Sequence, residues 1–337
     1  MLFSKAHSEP QALVPAPVAR QSVLQLFKAL APQDWAVIAY LLILNLALIG
    51  AKGEGVVKSA LQMAGMLGVV LAIIVSVRLQ LLTHGLWAPF AYRLSMQGVV
   101  QFSYFLLGTY LPLVNPRCLD KALYSFDLRF FGFETSVWAD AHITAFTSEW
   151  FAFFYFCYFF LLLAHSVPIV LFAREERLLS EFCLGMIIMF GVGKTLYALV
   201  PGFGPVRALA TIFRNQYPHG LWLDSVMRAV ATGGAQKDIF PSLHTAAPTF
   251  LTLFSFRNRH LVPFRYTWGV VGFFAANIIV ATMFLRWHWV VDVAAGLTLA
   301  GSSWWLAVVL TKYELERRAS CNLGPSWPPF ARRSSRA

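Results

Sequence analysis

Long apolar runs separated by short polar segments dominate the chain from residue 34 onward. A helix needs roughly 20 apolar residues to cross a bilayer. Eight runs approach or exceed that length, and they cover residues 34–51, 56–77, 96–113, 150–172, 178–200, 245–261, 266–285 and 289–310. No run alternates apolar and polar residues as a barrel strand would, and helices satisfy their own backbone groups in lipid. The pattern therefore predicts an all-α, polytopic membrane bundle with about eight transmembrane helices.

The composition agrees with a membrane protein and marks the ends of the bundle. Of 337 residues, 58% are hydrophobic and 13% are charged, whereas soluble domains carry about 25% charged residues. We expect residues 1–33 to form a cytoplasmic tail with a short amphipathic patch near 23–30, and residues 312–337 to form a basic, disordered tail. The four cysteines show no spacing typical of a disulfide framework or a metal site.

The formal net charge of +11 indicates an orientation in the membrane rather than binding to nucleic acid, because the cations lie in loops and tails. With the amino terminus inside and eight spans, 16 of the 27 lysines and arginines lie inside, 10 lie outside, and Lys194 lies within a span. This balance places the loop 201–240 and the turn 286–288 outside. We expect a plasma membrane protein, such as one of a bacterial inner membrane, with its active site on the outer or periplasmic face.

Two histidines are predicted to lie at the same end of the bundle. His244 precedes one apolar run and His288 follows the next, so a helix leading away and a helix returning bring both to one face. Asp292 follows His288 by four residues, and side chains with this spacing are neighbours on a helix. Its carboxylate can accept a ring N–H, fix the tautomer and raise the basicity of the imidazole. Ionisable groups at such places are costly and usually mark a site.

Three further residues suit an anion. Ser242 is placed to cap a helix start or to act as an oxygen ligand, and helix N-termini attract phosphate. Arg207 lies on a loop shaped by glycine and proline, and a guanidinium can clamp phosphate oxygens. Lys194, about two turns inside the same membrane end, can add a point charge. The simpler alternatives are a charged loop for Arg207 and a snorkelling lysine for Lys194.

The segments "PSLH" and "HWVVDVAAG" resemble the type 2 phosphatidic acid phosphatase superfamily. Within that superfamily the chain looks like the branch of inositol phosphorylceramide synthases and their bacterial relatives, which the stretches "YALVPGFGPVRA" and "LYSFDLRFFG" also resemble. The similarity covers residues 113–310 and leaves the first two spans outside. It implies a six-helix, phosphatase-like catalytic domain over residues 96–311, preceded by two additional transmembrane helices and their connection over 34–95.

The resemblance also implies a mechanism of phosphoryl transfer through a phosphohistidine, without a cofactor or a metal. His288 attacks phosphorus, Asp292 orients His288, and His244 protonates the leaving oxygen. The substrate is a lipid phosphate ester, and water or a lipid alcohol is the acceptor. The residues expected to bind phosphate are Arg207, Ser242 and Lys194.

Two departures from the common phosphatase motifs favour the synthase-like branch. Leu243 replaces the glycine of Pro-Ser-Gly-His, and Ala281 and Thr282 stand where phosphatases place Ser-Arg. Arg286 is two residues from His288, a spacing that does not share a helix face, so the missing role is not transferred to it.

Three other interpretations stay open at this point. The chain can be a simple lipid phosphate phosphatase, of the phosphatidate or polyprenyl pyrophosphate type. The two histidines and Asp292 also form a set that can bind iron or zinc. Finally, a transporter or non-catalytic membrane protein can use Lys194 and the histidines as a relay.

Overall fold

The fold was obtained as a computed structural model, which describes residues 23–82, 86–233 and 235–330. These residues form helices joined by turns and loops, with no strand among them, so the all-α prediction is confirmed. The helices are α1 Val23–Ala29, α2 Pro32–Ala47, α3 Val56–Arg78, α4 Trp87–Phe102, α5 Tyr104–Val114, α6 Asp120–Phe131, α7 Thr135–Asp140, α8 Ala145–Phe172, α9 Glu176–Leu199, α10 Pro205–Ala208, α11 Leu221–Gly233, α12 Leu243–Arg257, α13 Phe264–Phe284 and α14 Val290–Ser320.

Five helices in the described part of the chain, α3, α8, α9, α13 and α14, are long and apolar enough to cross a membrane. The three other expected spans correspond to the shorter helices α2 and α12 and to the pair α4 and α5, so the count of eight stays a prediction. Helix α9 lies at the centre, with 72% of its apolar window buried, and it packs against α2, α4, α12 and α14. Helix α3, with 17% buried, lies at the edge.

The third expected span is interrupted. We predicted one helix over residues 96–113, but α4 ends at Phe102 and α5 begins at Tyr104, with Ser103 between them. The Ser103 hydroxyl donates to the Val100 carbonyl at 2.8 Å, and the Lys194 ammonium donates to the same carbonyl. Side chains thus satisfy a backbone group at the interruption, as a membrane interior requires.

A buried ionic cluster joins the first helices at the end of the bundle remote from the histidines. The Arg78 guanidinium lies 2.6 Å from the Asp34 carboxylate, and both side chains are almost fully buried. The Tyr92 hydroxyl donates to the same carboxylate at 2.5 Å. These residues come from α3, α2 and α4, so the additional amino-terminal helices are fixed to the body that contains the rest.

The carboxyl-terminal segment corrects the expectation of a disordered tail from residue 312. Helix α14 continues to Ser320, and Arg317 and Arg318 donate to the carbonyls of residues 28–30, which α1 leaves free at its end. Trp327 is 2% exposed, and its indole N–H donates to the Ser180 hydroxyl at 2.9 Å. Residues 331–337, and the expected tail before residue 23, lie outside the described residues.

Close contact between α12 and α14 depends on Gly296. A Cβ there would lie 2.5 Å from the Ser242 carbonyl oxygen, whereas a Cβ at Gly301 on the same helix would meet nothing within 4 Å. We expect Gly296→Ala to reduce stability by about 1–3 kcal/mol, because the two helices must separate. Gly301→Ala, the matched control, gains helix propensity and should be neutral or slightly stabilising. Thermal unfolding in detergent micelles measures both, and equal effects would contradict this account.

Candidate active site

A cavity of about 600 Å³ lies at the end of the bundle where α12 and α14 begin. Its lining comes from α5, α8, α10, α11, α12 and the loops before α10, α12 and α14. Of the residues predicted from the sequence, His244, His288 and Arg207 line the cavity. Asp292 lies directly behind His288, whereas Ser242 and Lys194 are not part of the lining.

His288 and Asp292 form a buried pair at the start of α14. The His288 Nδ1 atom lies 3.4 Å from Asp292 Oδ2, and the two side chains are 5% and 0% exposed. The same Oδ2 accepts the Trp289 backbone N–H at 2.9 Å and so closes the first turn of the helix. The His288–Asp292 distance is longer than that of a good hydrogen bond, and such contacts often tighten when a substrate binds. Because Nδ1 faces the carboxylate, Nε2 is the ring nitrogen left for the cavity.

The turn that carries His288 is fixed by the last residues of α13. The backbone N–H groups of Trp287 and His288 both donate to the Thr282 carbonyl, at 2.9 and 3.1 Å, after Arg286 adopts a positive φ of 65°. Thr282 itself is buried and does not line the cavity. The position where phosphatases carry an arginine therefore supports the turn and supplies no charge to the cavity.

His244 lies in the first turn of α12, opposite His288. Its ring stacks on Tyr155 with centroids 4.6 Å apart and contacts Tyr158 at 4.3 Å. The rings of His244 and His288 are 6.3 Å apart. The Ser242 hydroxyl accepts the Thr245 N–H and caps the helix, which is one of its two predicted roles. Aromatic contacts thus fix one imidazole and Asp292 the other, with the cavity beside both.

Arg207 brings a positive charge to the cavity from the short helix α10. Its guanidinium donates to Gln236 Oε1 at 2.8 Å, stacks over Phe203 at 4.6 Å and is otherwise exposed. The loop before α10 turns at Gly204, whose φ is 80° and where a Cβ would collide with the Trp287 carbonyl. A side chain at this position is excluded for both reasons.

Two aspartates of helix α6 hold the segments that carry the candidate site. Asp120 accepts the backbone N–H groups of Phe203 and Gly204, at 2.8 and 2.9 Å, in the loop that leads to Arg207. Asp127 accepts the backbone N–H groups of residues 290 and 291, at 2.6 and 3.0 Å. These are N–H groups that a helix start leaves unpaired. Helix α6 therefore fixes the Arg207 loop and the start of α14 relative to each other.

The model of the PAP2 superfamily matches residues 121–306, more than half of the chain. The chain belongs to the PAP2 superfamily. No match was found among curated proteins or among solved structures. The matched region runs from α6 into α14 and contains all six residues predicted for the site, whereas α1 to α5 precede it.

In this PAP2 superfamily member, Asp238 is a cavity residue to which we gave no role from the sequence. It lies six residues before His244, at the head of the segment that contains the first motif. Its carboxylate accepts the Tyr104 hydroxyl at 3.0 Å. Burial raises the pKa of Asp238, and the Tyr104 hydrogen bond and the charges of His288 and Lys194 oppose that rise. Only its closeness to the motif could have indicated it, because Tyr104 is 134 residues away.

Two cations near the motifs are held by other partners. Arg286 pairs with Asp140 at 2.5 Å and stacks over Phe213 at 3.8 Å, on the far side of its turn. The Lys194 ammonium donates to the Val100 carbonyl instead of facing the cavity. Lys194 thus does not line the cavity, and its predicted role in phosphate binding stays a prediction. Among the described residues, no group of three His, Cys, Asp or Glu side chains is arranged to hold a metal ion.

Asp127→Ala should destabilise the protein by about 2 kcal/mol or more, because two buried N–H groups at the start of α14 lose a charged acceptor. Asp127→Asn retains one oxygen acceptor and should cost less. Lys121→Ala, at an exposed position of the same helix, is the control and should have no effect. Thermal unfolding of the purified proteins ranks the three variants, and a cost for Asp127→Ala no larger than that for Lys121→Ala would contradict the capping role.

His288 should remain neutral at mildly acidic pH. Burial lowers its pKa to about 4, and the Asp238 charge and the Ile239 backbone only partly oppose this. A group is protonated below its pKa, so at pH 5.5 His288 keeps the neutral form that reacts with diethyl pyrocarbonate. A free histidine of pKa about 6.5 is then about nine-tenths protonated. The rate of modification of the His288 peptide is measured by mass spectrometry at neutral pH and at pH 5.5, with N-acetylhistidine in the same tube as the reference. Between the two pH values the rate for N-acetylhistidine should fall, whereas the rate for His288 should not. If both modification rates fall by the same factor, the pKa of His288 is that of an ordinary histidine and the prediction is wrong.

Proposed function

We propose that this PAP2 superfamily member is an integral membrane enzyme that transfers the phospho-headgroup of a lipid phosphate ester through a phosphohistidine at His288. The observation that carries the proposal is the pair of imidazoles that share one cavity, 6.3 Å apart between ring centroids, with Asp292 behind His288. Superfamily membership supports a lipid phosphatase or phosphotransferase. The inositol phosphotransferase-like branch rests on the motif resemblance.

The first half-reaction forms the covalent intermediate. Nε2 of neutral His288 attacks phosphorus, the bond from phosphorus to the leaving oxygen breaks, and that oxygen takes a proton from His244. The His288 ring becomes cationic, and the carboxylates of Asp292 and Asp238 stabilise that charge. Arg207 binds the non-bridging oxygens, where transition-state charge accumulates.

The second half-reaction restores the enzyme. The acceptor hydroxyl, from a lipid alcohol or from water, gives its proton to His244 and attacks phosphorus, and the bond from phosphorus to His288 breaks. His244 is then protonated again for the next cycle. A lipid alcohol gives a transferase and water gives a phosphatase, with the same residues in the same roles.

A lipid substrate is favoured by the apolar part of the cavity lining. Val226, Met227 and Val230 of the amphipathic helix α11 form one wall. Phe105 of α5 and Phe159 of α8 line the cavity and are also 70% and 51% exposed. Helix α5 packs on α3, α4 and α9, whereas α8 packs mainly on α11, α12 and α13 and less extensively on α4 and α9. The cavity thus reaches the lipid-facing surface between α5 and α8, a route for an acyl chain.

The charges in the cavity favour a phosphodiester over a phosphate monoester or a pyrophosphate. Arg207 is the one arginine or lysine among its lining residues in the described part of the chain, and Asp238 places a carboxylate in the same space. A diester carries one negative charge and needs one cation, whereas a monoester or pyrophosphate carries more charge and is repelled by Asp238. The simple lipid phosphate phosphatase is the second candidate, because exposure of Arg207 leaves the cavity open to water.

We further propose that the cavity end of the bundle faces outward in a plasma membrane, such as a bacterial inner membrane. The remote end gathers Arg78, Arg93, Arg257 and Arg318. Inner loops carry the excess of positive residues in multi-pass proteins. The site then opens to the outer or periplasmic side.

The direct test incubates the purified protein in detergent micelles with phosphatidate, a polyprenyl pyrophosphate or phosphatidylinositol, each with and without diacylglycerol or ceramide as acceptor. Free phosphate and new lipid products are measured together. The proposal expects transfer from the diester to a lipid alcohol with little free phosphate. His288→Ala should lose at least about 1000-fold in rate, as nucleophile removal does in other enzymes, and His260→Ala, exposed at the remote end, is the matched control.

Each outcome has a distinct meaning. Phosphate release from phosphatidate or the pyrophosphate that depends on His288 supports the phosphatase alternative. Equal activity of wild type and His288→Ala removes the phosphohistidine mechanism.

A further inference from the structure

Lys194 is a buried cation to which the proposed phosphoryl-transfer mechanism assigns no role. It lies on the central helix α9 and is 1% exposed. Its ammonium donates to the Val100 carbonyl, lies 3.5 Å from the Ser103 hydroxyl, and lies 5.7 and 5.5 Å from the ring centroids of Tyr104 and Phe190. None of the salt bridges among the described residues includes it. A charge so placed is costly inside a membrane protein and usually has a function.

One residue connects Lys194 to the cavity. Tyr104, the first residue of α5, follows the interruption at Ser103 that Lys194 spans. Its ring lies near the ammonium, and its hydroxyl donates to Asp238 Oδ2 at 3.0 Å. The charges of Lys194 and Asp238 also attract each other directly. The ammonium therefore acts on the carboxylate in two ways, by fixing Tyr104 and by its charge.

We propose that Lys194 is a positioning residue that holds Tyr104 at the interruption between α4 and α5 and so keeps the Asp238 carboxylate ionised beside His288. It acts on the reaction through Asp238 and has no contact with the phosphate. This inference rests on the proposed function in one respect only, that ionised Asp238 supports the cationic state of His288 during transfer.

The other charged or titratable groups that interact with Asp238 do not replace Lys194. Tyr155 of α8 and Tyr197 of α9 interact electrostatically with Asp238, but neither brings a positive charge. His288 is the second group that favours the ionised carboxylate, and it is itself the nucleophile. Without Lys194, the ionised form of Asp238 loses a nearby cation, and a higher pH is needed to reach it.

The kinetic test compares Lys194→Met, which keeps an unbranched side chain and removes the terminal ammonium, with wild type from pH 5 to pH 9. We expect kcat to fall about tenfold and KM to change less than twofold. We also expect the acid limb of the kcat profile to move up by about half a pH unit or more, the direction that loss of a nearby cation gives a carboxylate. The double variant Lys194→Met/Asp238→Asn should be no slower than Asp238→Asn, because residues that act through one another are not additive.

A binding test separates this inference from failure of the proposed function, because it needs no turnover. Orthovanadate affinity, measured by isothermal titration, should change less than twofold in Lys194→Met and fall at least about tenfold in Arg207→Ala, which removes a direct charge contact. A tenfold loss of vanadate affinity in Lys194→Met would overturn the inference and return Lys194 to phosphate binding. Full additivity in the double variant would also overturn it.

A second variant tests the connection from Lys194 through Tyr104 to Asp238 in case Lys194→Met does not fold. Tyr104→Phe keeps the ring and removes only the hydrogen bond to Asp238. It should move the acid limb in the same direction by a smaller amount and leave vanadate affinity unchanged. An unchanged pH profile in Tyr104→Phe would overturn the proposed connection even if Lys194→Met does not fold.

Discussion

Carboxylates that bind backbone N–H groups hold the cavity end of this protein together. The loop before α10 and the first turn of α14 both expose N–H groups that their own segments leave unpaired, and an unpaired group at this depth is costly. Asp120 and Asp127 satisfy them from a single helix. Asp292 does the same for Trp289 from inside α14. One rigid helix therefore fixes the distance between the arginine loop and the histidine turn.

The two ends of the bundle differ in how completely their charged and polar groups are paired. At the remote end, Arg78 and Asp34 form a buried ion pair, and the partly exposed Arg257 pairs with the buried Glu181, so the groups satisfy one another. The cavity end also has a direct pair, Arg286 with Asp140. There, however, Asp292 and Asp238 bind donors with only part of their capacity, and Oδ1 of Asp292 has no hydrogen-bond partner among the described residues. A polar network that is left incomplete in this way is costly in stability, and such networks occur at functional sites.

Features of the fold and the candidate site that depend on residues close together in the chain could be predicted from the sequence. Apolar run length is a local property, so the five longest helices were predictable from it. The pairing of His288 with Asp292 follows from a four-residue step. The contacts of Asp120 with Gly204 and of Asp127 with residue 290 join positions 84 and 163 apart, and no local pattern reports them. The hydropathy pattern also predicted one span over residues 96–113. It could not show the interruption at Ser103, because that interruption depends on a lysine from another helix.

The bonds from Arg317 and Arg318 to the carbonyls at the end of α1 have a consequence for biogenesis. A ribosome delivers helices in chain order, so α1 is synthesised long before its partners on α14 exist. Those carbonyls acquire their arginine donors only when the last helix has been synthesised. Closure of the bundle at the remote end is therefore a late, post-insertion event, and a chain truncated before residue 317 lacks the contacts that join its beginning to its end.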